Sequence, residues 1–424
     1  MAATMVTLLS SCGATPTASS STAGSSESVS SSASELSSTE PAKQVTLTYW
    51  HTYSEGEEKV LKDEVIPAFE KANPSIKINA VRMPLDGLQQ QVVTAVAGDA
   101  APDVMRMDIT WVAQLAKVGA LKPLSGYEGF DTLTKNTLQS AMQTTYYNGE
   151  CYGLPLNTNT TTSVWNMDLL SKFGSKEPPK TIDEMVTLAK KVNSKSEQKW
   201  VFTIAGTYTW AMLPWFWSLG GTMTNEDYTK ATGYLNSEDS VKALETIAGW
   251  YKDGVISPAI IGEEPGAWNG MSGGNYAMIS EGPWFFSSNS TTFMSQAAVM
   301  PSGKGGSISV TGGEDIVMLK TTKNEKEVWA FMNYLLSDDA QLAMTKAGLI
   351  PTTTTATGKM DTSATPYMSA YLEQLKNAKP RIPSANYPAI DELLGKTFER
   401  VIRGEIGAKQ ALDDAAAQVD TLLK

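Results

Sequence analysis

One histidine occurs in the chain, His51, and two cysteines, Cys12 and Cys151. A zinc site built from several histidines is therefore impossible, and a histidine-based triad could draw only on His51. Two cysteines give no disulfide framework. Cys151 reads as a small buried hydrophobe. Gly395-Lys396-Thr397 has the ending of a phosphate-binding loop, but Ile390 stands where that loop needs its first glycine. No zinc-protease or dinucleotide motif follows elsewhere. The 45 Asp and Glu residues could still place two carboxylates in a cleft, so a secreted glycoside hydrolase remains open. The stronger signal is aromatic. Trp50 and Tyr53, Trp111, Trp165, Tyr208 and Trp210, Trp215 and Trp217, Trp268, and Trp284 after Gly282-Pro283 sit in segments rich in Gly, Pro or Thr. An aromatic at a strand-to-loop junction offers a flat apolar face beside polar groups. That suits sugars, whose C–H faces lie on rings while their hydroxyls need directional partners. Trp250, Trp329 and Tyr334 fall on helical faces and read as core.

The elements around these residues alternate between strand and helix. Val45, Leu47 and Tyr49 alternate with polar neighbours as a strand. Ser54-x-x-Glu57 has the form of a capping box, which starts a helix near Glu55. Pro67 should kink that helix or mark its true start, and Asn73-Pro74 ends it. Ile76, Ile78 and Ala80 make a second strand, Leu88–Val96 a second helix, and Asp103–Met107 a third strand. This order implies a mainly parallel sheet with helices on both faces, binding ligands at the carboxyl ends of its strands. Further helices are expected after Thr181-x-x-Glu184, and at 237–252, 325–336 and 408–423. The 424 residues allow two or three domains, and 42% apolar content is enough for sizeable cores. Lys+Arg of 34 against Asp+Glu of 45 gives a net charge of −11, which argues against a nucleic-acid partner.

The N-terminus is built differently. Leu9-Ser10-Ser11-Cys12 resembles the lipobox of bacterial lipoproteins, in which the cysteine carries lipid. Residues 1–12 are read as a signal segment, although no Lys or Arg precedes Cys12. Residues 13–44, dominated by Ser, Thr, Ala and Gly, cannot bury enough apolar surface to fold and read as a tether. No later run is long and apolar enough to span a membrane.

Several segments of the body together resemble the extracellular solute-binding proteins of ABC importers, in the branch that contains maltose-binding protein. Leu47-Thr48-Tyr49-Trp50, Phe69-Glu70 with Asn73-Pro74, Ala97-Gly98 with Pro102-Asp103-Val104, and Leu115 with Gly119 and Leu121 come first. Asn148-Gly149 with Tyr152-Gly153-Leu154-Pro155, Trp165-Asn166, Gly220-Gly221, Gly282-Pro283-Trp284 and Pro380 with Ile382-Pro383 follow in family order. The resemblance covers nearly all of 45–424. It implies a two-lobed α/β fold of the periplasmic-binding-protein type II class, with mainly parallel sheets and a ligand cleft between lobes. The lobes are expected at 45–153 with 308–360 and at 154–307 with 361–424.

By the same resemblance the protein binds a carbohydrate without catalysis or cofactor, as a monomer held to the outer face of the cytoplasmic membrane through lipid on Cys12, and delivers it to separate permease subunits; the acidic body favours a neutral ligand and the aromatic inventory an oligosaccharide. Trp284 matches the family's stacking tryptophan, and Asp108, followed by Trp111, matches an acceptor of sugar hydroxyls. His51 and Tyr53 follow the first strand, where the family contributes polar groups. Asn159 lies where maltose-binding protein has a glutamate, which puts maltose itself in doubt. Tyr208 and Trp210 match a lining segment, Glu314 and Asp315 lie at the return crossing, and Tyr387 lies near a late aromatic. The family also contains glycerol-phosphate binders, and Arg106 could serve an anionic group.

Overall fold

The computed structural model describes residues 44–288 and 291–424. Cys12 and the Ser-rich stretch up to residue 43 lie outside the described residues. The chain opens with β1 (Val45–His51), whose alternate residues Leu47, Tyr49 and His51 are buried. It runs parallel to β2 (Ile76–Arg82) along its whole length and to β3 (Val104–Asp108). The helix between β1 and β2 starts with the expected capping box, in which Ser54 N donates to Glu57 Oε2 at 2.7 Å. It is α-helical over Glu55–Val60, widens to a π turn at Leu61–Val65, and resumes at Ile66–Ala72. Pro67 has no N–H to give and its ring crowds the preceding turn, so the wider turn takes up the misfit. The helices Leu88–Ala97, Ile182–Val192, Glu238–Lys252, Glu325–Leu335 and Ala408–Leu422 fall where the apolar periodicity places them.

The remaining strands are a short hairpin, β4 (Tyr146–Tyr147) with β5 (Glu150–Cys151), then β6 (Gly153–Thr160), β7 (Thr162–Asn166), β8 (Trp200–Phe202), β9 (Tyr276–Glu281), β10 (Ser295–Ala298), β11 (Ser309–Met318) and β12 (Ala378–Pro380). They form two main sheets. The first has the order β12-β11-β3-β1-β2, with β6 on the other edge of β11; the second has the order β10-β7-β9-β8. Parallel pairing holds among β1, β2 and β3, where the β-α-β order predicts it, and also joins β8 to β9 and β11 to β12. Elsewhere the pairing is antiparallel, β11 to both β6 and β3 and β7 to both β9 and β10, so the sheets are mixed where mainly parallel ones were expected. The reason lies in the path of the chain: β6 leads away from the first core and β11 leads back into it, so the two must run in opposite directions.

Both faces of the first sheet are covered, as an α/β sheet requires. Leu47, Tyr49, Ile316 and Met318 pack against Phe69 and Phe331 on one face, while Met105, Met107, Val317 and Leu319 pack against Val92 and Leu115 on the other. A separate and larger core gathers Trp165, Phe202, Trp215, Phe216, Trp250 and Phe398 around the second sheet. Trp250 and Trp329 are buried as expected, and so are Trp165, Trp215 and Trp217. The strand β11 serves both cores, with Val310 in the second and Ile316 in the first.

Candidate ligand-binding site

Where β3, β6 and β11 meet, their register sets Asp108 beside Glu314, Glu314 beside Asn157, and Asn159 beside Gly312. Gly312 is required there: a Cβ would collide with Asn159 Oδ1 and come within 2.6 Å of the Trp210 ring. Trp210 stands at the start of the helix Thr209–Ser218, whose first N–H groups include Thr209 N, held by Asp391 Oδ1 at 2.9 Å. Trp284 opens the short helix Trp284–Ser288 directly after β9 and Pro283. Its ring folds back over Gly282, where any side chain would overlap it. The Trp210 and Trp284 rings lie 6.1 Å apart, inclined by 31°. Both are half-buried, and neighbouring Tyr208 is 45% exposed.

Charged groups lie on the elements that carry this ring pair and on the strands beside them. Arg381 Nη2 donates to both Asp108 oxygens at 3.0 Å, and its guanidinium lies 5.4 Å over the Trp210 ring and 5.8 Å over the Tyr387 ring. Asp108 also accepts from Thr110 N at 2.8 Å and Thr110 Oγ1 at 2.6 Å, which fixes the loop leading to Trp111. Arg106 pairs with Glu314 at 2.9 Å, donates to Thr52 at 2.8 Å, and sits 4.1 Å over the Tyr53 ring. Burial pushes the Glu314 carboxyl above its ordinary range, and Arg106 draws it part of the way back. The Glu281 carboxylate, at the end of β9, accepts from Trp268 Nε1 at 2.5 Å and Gly282 N at 2.8 Å. Burial raises its pKa, against the pull of Trp268, Gly282 and Trp284.

Of the residues singled out in the sequence, Asp108, Trp210, Trp284 and Tyr387 are thus drawn together through Arg381, and Asn159 joins them through Gly312. Tyr387 is nonetheless buried, its hydroxyl 2.6 Å from Thr209 Oγ1. Trp111 is half-buried against the helix-covered face of β3. His51 and Tyr53 differ from their expected place among ligand-facing groups. His51 is fully covered, with Tyr49 and Tyr53 rings at 5.5 and 5.2 Å and Glu58 3.7 Å from its Nε2. It shares the inward face of β1 with Leu47 and Tyr49, so strand periodicity turns it into the core. Asp315 follows Glu314 but points to the opposite face, fully buried against Thr144 Oγ1 at 3.0 Å. Arg381 and Glu281 were not anticipated. Both stand next to motifs that were noticed, Arg381 inside Pro380-x-Ile382-Pro383 and Glu281 immediately before Gly282-Pro283-Trp284. Cys151 is buried, its Sγ 3.1 Å from Gly153 O.

The model of the bacterial extracellular solute-binding protein family matches residues 64–370. The chain belongs to this family. Among curated proteins, the galactooligosaccharide-binding protein of Bacillus subtilis is 25% identical over 368 residues, spanning 83% of this chain and 84% of its own. Among solved structures of solute-binding proteins, the GacH receptor of Streptomyces glaucescens, determined unliganded and with acarbose, superposes with a TM-score of 0.80 at 25% identity. The likeness covers 90% of this chain and 98% of that one. An ABC transporter solute-binding protein of Thermotoga lettingae bound to α-D-tagatose gives 0.78 at 26% identity, covering 90% and 100%. The fold is accordingly the two-lobed α/β architecture of these solute-binding proteins.

Proposed function

We propose that this solute-binding protein captures a neutral oligosaccharide between its lobes and hands it to the membrane permease of an ABC importer, with no chemical change to the sugar. The observation that carries this reading is the pair of half-buried indole rings, Trp210 and Trp284, 6.1 Å apart and ringed by polar groups. Trp284, Trp210 and Tyr208 supply apolar faces from one lobe (154–307 with 361–424). Asp108, Trp111 and Glu314 supply polar and aromatic edges from the other (45–153 with 308–360). Asn159 and Tyr387 line the floor. His51, Tyr53 and Asp315, fully covered, belong to the packing behind it.

The charge pattern favours a neutral ligand over a glycerol phosphodiester. Arg106 and Arg381 are each matched by a carboxylate, Glu314 and Asp108, so neither carries an unbalanced charge toward an anion. The galactooligosaccharide-binding relative and the acarbose-bound neighbour fit a ligand with several sugar rings. Lipid on Cys12 and the 13–44 tether would hold the protein, as a monomer, on the outer face of the membrane within reach of the permease. Calorimetric titration of the purified protein with maltotriose, β-1,4-galactotriose and glycerophosphocholine tests the reading, with chromatography of the recovered sugar. A neutral trisaccharide should bind and return intact. Cleaved sugar would favour a hydrolase, and binding of the phosphodiester alone would overturn the neutral-sugar reading.

A further inference from the structure

Two buried polar atoms beside Trp210 have no hydrogen-bond partner among the described residues: Nε of Arg381 and Oδ1 of Asn159. The Arg381 side chain is only 9% exposed and Asn159 only 3%. Buried donors and acceptors are normally satisfied, so an unpaired donor and an unpaired acceptor on residues that both border the Trp210 ring point to a ligand that completes them. Arg381 is held firmly enough to present its free N–H in a fixed direction. Its Nη2 is engaged with both oxygens of Asp108, and its guanidinium lies over the Trp210 and Tyr387 rings at 5.4 and 5.8 Å. Arg106 also has an unshared Nε, but it is 3% exposed and covered by the Tyr53 ring at 4.1 Å, inside the first core. Among the described residues, Arg381 is the arginine that combines the free donor with a place beside the half-buried indoles.

We propose that Arg381 is a specificity-determining residue, donating from Nε to a hydroxyl of a sugar seated on Trp210 and Trp284. This role rests on the sugar reading of the site. A sugar fits the two atoms because its hydroxyls both accept and donate: one can take the Arg381 proton, and it or a neighbouring hydroxyl can give a proton to Asn159. An ionised phosphate or carboxylate has no proton for Asn159 Oδ1, and it would meet the Asp108 carboxylate already resting on the same guanidinium. Asp108 thereby acts at a distance from the ligand, by aiming Arg381, as well as through its own oxygens.

The test is a coupling measurement. Arg381→Lys keeps a cation for Asp108 but removes the Nε–H. Wild type and R381K are titrated with whichever of maltotriose and β-1,4-galactotriose binds more tightly, and with its singly deoxygenated forms. In the wild type one deoxy sugar should lose about ten- to a hundredfold in affinity, as expected for a hydrogen bond to a charged donor. R381K should bind that deoxy sugar and the parent about equally, while keeping its preferences at all other hydroxyls. If R381K weakens the parent and every deoxy sugar by the same factor, the arginine is a structural prop and the proposal fails. Asn159→Ala, read in the same way, serves if R381K does not stay folded at the assay temperature. A wild type that binds neither trisaccharide overturns the sugar reading first, and this role falls with it.

Discussion

Truncating Trp284 to alanine separates binding from packing. The indole is half-buried, lies against Gly282, faces Trp210 at 6.1 Å, and helps hold the Glu281 carboxylate. Pro283 stiffens the turn before it, so the ring gives up little freedom when a sugar stacks on it. Removing such a platform from a binding centre should cost about 2–4 kcal/mol of affinity, which is roughly 30- to 1,000-fold in dissociation constant. The stability cost should be smaller. Glu281 keeps its bonds to Trp268 and Gly282 at 2.5 and 2.8 Å, and a ring already partly in water leaves no sealed cavity, so a loss of about 1 kcal/mol is expected. Trp215 supplies the contrast, being fully buried, stacked on Phe202 at 5.4 Å and edge-on to Trp250 at 6.2 Å. Its replacement by alanine should cost about 3–5 kcal/mol of stability. Titration calorimetry and thermal melting on the same preparations read both quantities. If Trp284→Ala melts as low as Trp215→Ala while its folded fraction binds sugar normally, the ring is a packing element and the reasoning fails.

Glu314→Gln leaves the Arg106 guanidinium, 3% exposed, without its counter-charge, so stability should fall by about 3 kcal/mol in urea unfolding; a change below 1 kcal/mol would show that Thr52 and Asn157 satisfy it alone. His51 gives a pH signature. Burial lowers its pKa from 6.5 to about 4, with Glu58 opposing. The unfolded chain therefore takes up a proton near pH 6.5 that the folded one refuses until about 4, and stability present above 6.5 drains away as pH falls across that window, by up to about 3 kcal/mol. His51→Phe should flatten this slope, and parallel pH profiles for the two proteins would count against it. Cys12→Ser, expressed in secreted form, should move the protein from the membrane fraction to the medium; equal retention would remove lipid as the anchor.

The β-α-β order up to β3, the capping boxes at Ser54 and Thr181, and the long amphipathic helices were all legible in the sequence, because each is fixed by neighbours within a few residues. The antiparallel return of β11 was not, since strand direction depends on the path of the chain through both cores and leaves no mark on local periodicity. The same division holds at the site. Trp284 was visible because Gly282 and Pro283 adjoin it, and Trp210 because it sits in an aromatic cluster. Arg381 was hidden because its partner Asp108 lies 273 residues away, and an arginine between prolines looks like any solvated loop charge. His51 misled in the opposite way: a lone histidine after a strand draws attention, yet as the last inward position of β1 it was committed to the core.

The strand β11 shows why the site cannot be altered independently of the fold. Taken at every second residue, it places Val310 in the second core, Gly312 against Trp210 and Asn159, Glu314 on Arg106, and Ile316 in the first core. Its neighbours β3 and β6 bring Asp108 and Asn157 to Glu314 by register alone. A slip of one residue would turn Glu314 to the face now held by Asp315 and strip Arg106 of its counter-charge. The buried ion pair at 2.9 Å therefore specifies the register that sets Gly312 under the indole. Net stability is the lesser part of its role, since an ion pair taken out of water gives back in desolvation much of what it gains.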